Sequence, residues 1–95
     1  MTGQTVELPR TAGPEDALAG NWRVIVLNDN HNTFEGVAFA LAQTIPGVDY
    51  AKGMALANRI HSTGRAIVWS GHRELAELYH SQLEGYGLTM APLER

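Results

Sequence analysis

The polarity of the chain changes most sharply between Trp22 and Glu35, where it reads WRVIVLNDNHNTFE. Trp22 to Leu27 is rich in β-branched and aromatic residues and predicts a strand. At period two, Trp22, Val24, Val26 and Asn28 share one face, and Arg23, Ile25 and Leu27 take the other. Apolar residues on both faces predict a central or covered strand. Asn28, Asp29, Asn30, His31 and Asn32 follow at once. So much hydrogen-bonding capacity at the mouth of an apolar strand is costly unless it is solvated or used. The pattern predicts a small polar clamp beside an apolar floor.

The period then becomes helical. A first helix is predicted from about Thr33 to Thr44, with Phe34, Val37, Ala38, Leu41 and Ile45 on one stripe. Asn32 is placed to cap it, with Glu35 at the capping-box spacing. Ile45-Pro46-Gly47-Val48 stops it. Asp49 can cap a second helix from about Tyr50 to Ser62, with Tyr50, Met54, Ala57 and His61 in one row and Leu56 and Ile60 in the next. Gly36 and Gly53 each cost up to about 1 kcal/mol inside a helix, which predicts close helix packing. Thr63-Gly64-Arg65 reads as a turn and Ala66 to Trp69 as a second strand. A third helix, His72 to Tyr86, would bury Leu75, Leu78, Tyr79, Leu83 and Tyr86. Gly87 can take the left-handed position after it, bringing Leu88 onto Leu83. Thr89 to Leu93 predicts a short final strand that Pro92 confines to an edge or an end. The βααβαβ order predicts an α+β fold, a small three-stranded antiparallel sheet covered by three helices. Residues 1–20 have no period and read as a flexible arm before a domain at 21–95.

Composition narrows the function classes. Ninety-five residues make one domain with one core. A net charge of −3 argues against a nucleic-acid partner. The absence of cysteine excludes a disulfide framework and a thiolate zinc site. No apolar run nears the roughly 20 residues of a membrane helix, and no basic-then-apolar leader opens the chain. A cytoplasmic protein is expected.

The Asn28 to Asn32 cluster has several readings. Asn28, Asn30 and Asn32 mimic the first ligands of a calcium loop, but Thr33 stands where that loop needs glycine and Phe39 where it needs glutamate. His31, His61 and Asp29 lack metal-site spacing, and His72 and His80 read as helix-surface residues. No metal and no cofactor are expected. Ser62 beside His61 is not a triad, because adjacent helical residues do not face each other. No enzyme is expected. A purely structural reading stays open: Asn32 caps a helix while Asp29 and Asn30 form Asx turns.

The run V-I-V-L-N-D-N-H-N-T-F-E, followed about 30 residues later by I-H-S-T-G-R-A, resembles the ClpS family of Clp protease adaptors. The family pattern is a strand ending in L-N-D-D-x-T-P-M-E and a helix ending near V-H-x-x-G-R. The two motifs stand in register without a gap from Trp22 to Trp69, and the last helix and strand follow in order. The resemblance implies an adaptor that binds the N-terminal residue of N-degron substrates and delivers them to a Clp unfoldase–protease. It implies that Asn28, Asp29, Asn30 and His61 hold the α-ammonium. Val26, Asn32, Phe34, Val37, Ala57 and Ile60 would line the side-chain pocket, closed by Leu88 or Thr89. The chemistry agrees. An ammonium needs acceptors, which the Asn28 carbonyl and a neutral His61 nitrogen can supply, and Asp29 adds charge.

This chain departs from the pattern at named positions. Asn30 replaces the second aspartate, Asn32 the threonine, Thr33 the proline, Phe34 the gating methionine and Ala57 a second pocket methionine. Large apolar N-termini (Leu, Phe, Tyr, Trp) are expected as ligands, in an altered ranking. The resemblance further implies a monomer docking on the N-terminal domain of a Clp/Hsp100 unfoldase of the ClpA or ClpC type. Glu74 and Glu77, with His72 and Arg73, would form that surface, and the arm would engage the unfoldase. The alternative is an unfoldase-binding regulator or interaction domain of the same fold without N-degron recognition.

Overall fold

The computed structural model describes residues 22–95, so the arm expected over 1–20 lies outside the described residues. The elements run β1 (Trp22–Leu27), α1 (Phe34–Thr44), α2 (Tyr50–Thr63), β2 (Arg65–Gly71) and α3 (Arg73–Gly85). β1 is central, as its two apolar faces predict: Val24, Ile25 and Val26 are all buried.

The first edge of β1 pairs antiparallel with β2, from Trp22 opposite Gly71 to Leu27 opposite Arg65. Val24 faces Trp69 and Ile25 faces Ile67, which leaves Val68 without a partner, a β-bulge. Val68 is nonetheless buried, Trp69 packs edge-on against Tyr79 at 5.0 Å, and Ile67 is exposed.

The other edge of β1 meets the C-terminal segment. The Leu27 N–H donates to the Thr89 carbonyl (2.8 Å), the Ala91 N–H to Ile25 (3.1 Å) and the Arg23 N–H to Glu94 (2.6 Å). These contacts make two isolated bridges, Val26 with Met90 and Arg23 with Glu94, not the third strand expected over Thr89 to Leu93. Among the described residues the sheet therefore has two strands. The reason is local. Three steps along β1 match four along the partner, so one residue is extra, and Pro92 in that interval has no N–H to donate.

The cap of α1 is Thr33 rather than Asn32. Thr33 has extended backbone, and its hydroxyl accepts the Gly36 N–H at 2.9 Å. Glu35 is then one residue too early for a capping box. Asp49 caps α2 as its position predicts, accepting the Lys52 N–H at 2.8 Å. After α3, Gly87 adopts φ 92°. The Leu88 N–H reaches the Leu83 carbonyl (3.2 Å) and the Gly87 N–H reaches Glu84 (2.9 Å), a Schellman closure.

The face that α3 buries differs from the apolar pattern. Ala76 and Leu83 are buried with Tyr79 half-buried between them, whereas Leu75, Leu78 and Tyr86 are 43%, 47% and 47% exposed. The small Ala76 side chain lets the helix lie close on the strands, and Tyr79 meets Trp69. Two leucines are left outside.

Helices α1 and α2 form a tight hairpin. A Cβ on Gly53 would stand 2.7 Å from the Ala38 carbonyl oxygen and 2.9 Å from its Cα, both backbone atoms. Gly53 thus permits the close approach its helical position suggests. Gly36 does not serve that purpose: a Cβ there would meet only the Thr33 hydroxyl, at 3.0 Å. Gly53→Ala should destabilise the fold by roughly 1–3 kcal/mol, because overpacking against backbone outweighs the gain in helix propensity. Urea unfolding would measure this, and an unchanged or raised midpoint would refute the close-packing role.

Candidate functional site

The end of β1 and the end of α2 meet because of one turn. Gly64 closes α2 with φ 92°, and its N–H donates back to the Ile60 carbonyl at 2.9 Å. The Gly64 carbonyl in turn accepts the Asn28 N–H at 2.9 Å, extending the β1–β2 pairing by one step. His61, in the last turn of α2, is thereby carried to the mouth of β1, though 33 positions separate it from Asn28.

Beneath this mouth lies a cavity of about 300 Å³. Its apolar lining comes from Val26 and Leu27 of β1, Val37 of α1, Ala57 and Ile60 of α2, and Leu88 after α3. Asn28, Asp29, Asn30, Asn32, Phe34 and His61 complete it. Asn28, Asn30 and His61 are exposed, while Phe34 is half-buried and meets the His61 ring edge-on at 5.1 Å. One expectation is corrected. Thr89 is absent from the lining, because its hydroxyl donates to Asp29 Oδ2 at 2.8 Å, and Leu88 takes the wall. Sequence reasoning missed Leu27, whose period-two position points away from Val26. It adjoins the cavity because it is the last strand residue before the polar loop.

Asp29 organises the rim. Its Oδ1 accepts the backbone N–H groups of His31 (3.0 Å) and Asn32 (2.8 Å). Its Oδ2 accepts the Asn32 amide (2.6 Å) and the Thr89 hydroxyl. The Asn32 amide also donates to the Gly87 carbonyl at 2.9 Å, so loop and C-terminal segment are tied twice. Only 12% of the Asp29 side chain is exposed. Burial by itself raises the carboxyl pKa. The hydrogen bonds from the Asn32 N–H and amide, the Thr89 hydroxyl and the His31 N–H outweigh it and hold the pKa well below the usual carboxylate range.

The remaining candidates lie elsewhere. Glu74 and Glu77 are exposed near the start of α3 and outside the cavity, and Glu77 accepts from Arg73 Nε at 3.0 Å. The Ser62 hydroxyl donates to the Asn58 carbonyl at 2.8 Å rather than facing a base. Among the described residues no three His, Cys, Asp or Glu side chains converge as a metal site would require, and no helix is long and apolar enough to cross a membrane.

The sequence pattern of the ATP-dependent Clp protease adaptor protein ClpS matches residues 18–91. The chain belongs to the ClpS family. It is 55% identical over 74 residues to the ATP-dependent Clp protease adapter protein ClpS of Nostoc sp. (strain PCC 7120), covering 78% of this chain and 76% of that one. Against the ClpS of Thermosynechococcus vestitus the figures are 54% over 74 residues, with 78% and 79% covered. A chloroplastic adapter of Chlamydomonas reinhardtii, CLPS2, is 34% identical over 76% of this chain and 43% of its own length. In fold, the chain is similar to Agrobacterium tumefaciens ClpS2 bound to L-phenylalaninamide, with a TM-score of 0.72, 22% identity, and 80% of this chain and 99% of that chain covered. These relatives are adaptors of a protease, and the ClpS fold seen here is α+β.

The Asp29 network makes stability acid-sensitive with a definite sign. The folded chain holds this carboxyl ionised below its ordinary pKa, so the unfolded chain takes up the proton first as pH falls. The stabilisation is whole above about pH 4 and is lost progressively below it. Asp29→Asn should cost about 1–3 kcal/mol at neutral pH, because its NH2 would face donors from Asn32 or Thr89. It should also flatten the acid limb of a pH-stability curve read by thermal melting. A variant that kept the wild-type stability and slope would refute this role.

Proposed function

We propose that this ClpS-family chain is a non-enzymatic specificity adaptor that captures the N-terminal residue of a substrate protein and passes it to a Clp/Hsp100 unfoldase–protease. The observation that carries this reading is the juxtaposition of an apolar cavity with exposed acceptors, Asn28 and His61, on its rim. A substrate's first side chain enters against Val26, Val37, Ala57, Ile60 and Leu88. Its α-ammonium donates to the Asn28 side-chain oxygen and to a neutral His61 nitrogen. Asp29 acts by charge: a carboxylate offers about four lone-pair sites, and internal donors occupy them. L-phenylalaninamide, the ligand of the Agrobacterium ClpS2 relative, has this chemistry, a benzyl side chain beside a free α-amine.

Leu, Phe, Tyr and Trp are the favoured first residues. Asn30 supplies an amide where the family pattern has a second carboxylate, which lowers the negative charge at the rim. Ala57 opens space that Phe34 borders, so the ranking among large side chains shifts. The unfoldase, of ClpA or ClpC type, docks through its N-terminal domain on the start of α3. There Glu74 and Glu77 lie beside the exposed Leu75 and Leu78, charge and apolar area on one surface. The protein works as a cytoplasmic monomer.

Fluorescence anisotropy with peptides differing only in residue one tests the reading. Asn28→Ala and His61→Ala should each weaken an N-terminal Phe peptide about tenfold or more while circular dichroism stays native. Equal affinity for N-terminal Glu and N-terminal Phe would overturn the proposal, and an unchanged affinity in His61→Ala would remove His61 as the acceptor.

A further inference from the structure

We infer that Phe34 is a positioning residue for His61: its ring holds the imidazole in the orientation that presents a nitrogen to the substrate's α-ammonium, coupling the side-chain and amino-group halves of recognition. The inference rests on the proposed capture of an N-terminal residue. His61 sits exposed on the last turn of α2, and among the described residues no hydrogen bond reaches its ring. The aromatic neighbour it meets is Phe34, at 5.1 Å between centroids and 60° between planes, an edge-on arrangement.

The two partners differ in how firmly they are held. Phe34 is the first residue of α1, next to a formed cap in which the Thr33 hydroxyl accepts from Gly36 (2.9 Å) and the Thr33 carbonyl from Val37 (3.0 Å). Its ring is half-buried and borders the cavity. On α2, the position one turn before His61 is Ala57, whose methyl group is too small to wedge the imidazole from its own helix. Orientation therefore falls to the facing ring. An acceptor already in place spares the rotamer ordering that binding otherwise costs. Because Phe34 also borders the space for the ligand's side chain, a ligand that displaces Phe34 also releases His61.

A peptide pair separates this role from simple wall-building. One peptide begins with a free Phe. The other begins with a 3-phenylpropanoyl group, the same side chain without the amine. The ratio of their Kd values reads the amino-group contribution alone. Phe34→Leu should lower that ratio about two- to tenfold, the range of an aromatic pair, and Phe34→Tyr should keep it. In a His61→Ala background, Phe34→Leu should change the ratio no further. In the free protein, His61 ring-proton NMR shifts should move in Phe34→Leu and stay in Phe34→Tyr, a readout independent of binding. Phe34→Met gives a second non-aromatic replacement if the Leu variant folds poorly. Equal weakening of both peptides with the ratio unchanged would overturn the inference, leaving Phe34 as cavity wall only. A ratio that His61→Ala itself leaves at wild type would instead remove the proposed acceptor, and the inference with it.

Discussion

One shielded carboxylate holds the working end of this protein together. Asp29 accepts four hydrogen bonds, two from backbone N–H groups of its own loop, one from the Asn32 amide and one from Thr89, 60 positions along the chain. Taking a carboxylate out of water is unfavourable unless its lone pairs are filled, and here they are. The outcome is a loop whose shape is set by an internal acceptor. That same acceptor ties the loop to the segment carrying Leu88, so the cavity wall and its polar rim are parts of one network.

Around that network, backbone geometry does the positioning. β1 is paired on both edges, by β2 on one side and by two bridges from the C-terminal segment on the other. The N–H groups of Leu27, its last residue, and of Asn28 just beyond it donate to Thr89 and to Gly64 respectively. Those two bonds bring the end of α3 and the end of α2 to the same place. The left-handed turns at Gly64 and Gly87 make both approaches possible, since each must reverse the chain directly after a helix. The tight α1–α2 hairpin, closed at Gly53, then sets Val37 of one helix beside Ala57 and Ile60 of the other.

The site that results is divided chemically. Its floor is aliphatic and its rim offers acceptors, an arrangement suited to a group that is apolar at one end and an ammonium at the other. Of the five residues by which this chain leaves the family pattern, Asn30, Asn32, Phe34 and Ala57 border the cavity, and Thr33 caps α1 outside it.

The local sequence was enough for several features that depend on short-range chemistry. The strand at Trp22–Leu27, the Asp49 cap, the glycine closures at 64 and 87 and the apolar stripe of α1 all follow from residue type and spacing within a turn or two. Asn28 and His61 could be singled out through two motifs in register, although spacing alone did not reveal that they meet. Tertiary structure decided what depends on competition between partners. Asn32 and Thr33 can both cap a helix, and Asn32 was claimed by Asp29 and Gly87. Leu75 and Leu78 looked as apolar as any core residue, yet close packing of Ala76 on the sheet turned them outward. Thr89 was drawn to Asp29, Leu88 took the wall, and Pro92 with one extra residue reduced a third strand to two bridges. Periodicity reports which residues prefer burial. The register, the rotation of a helix and the choice among equivalent donors are settled by groups far apart in the chain, which meet only once it has folded.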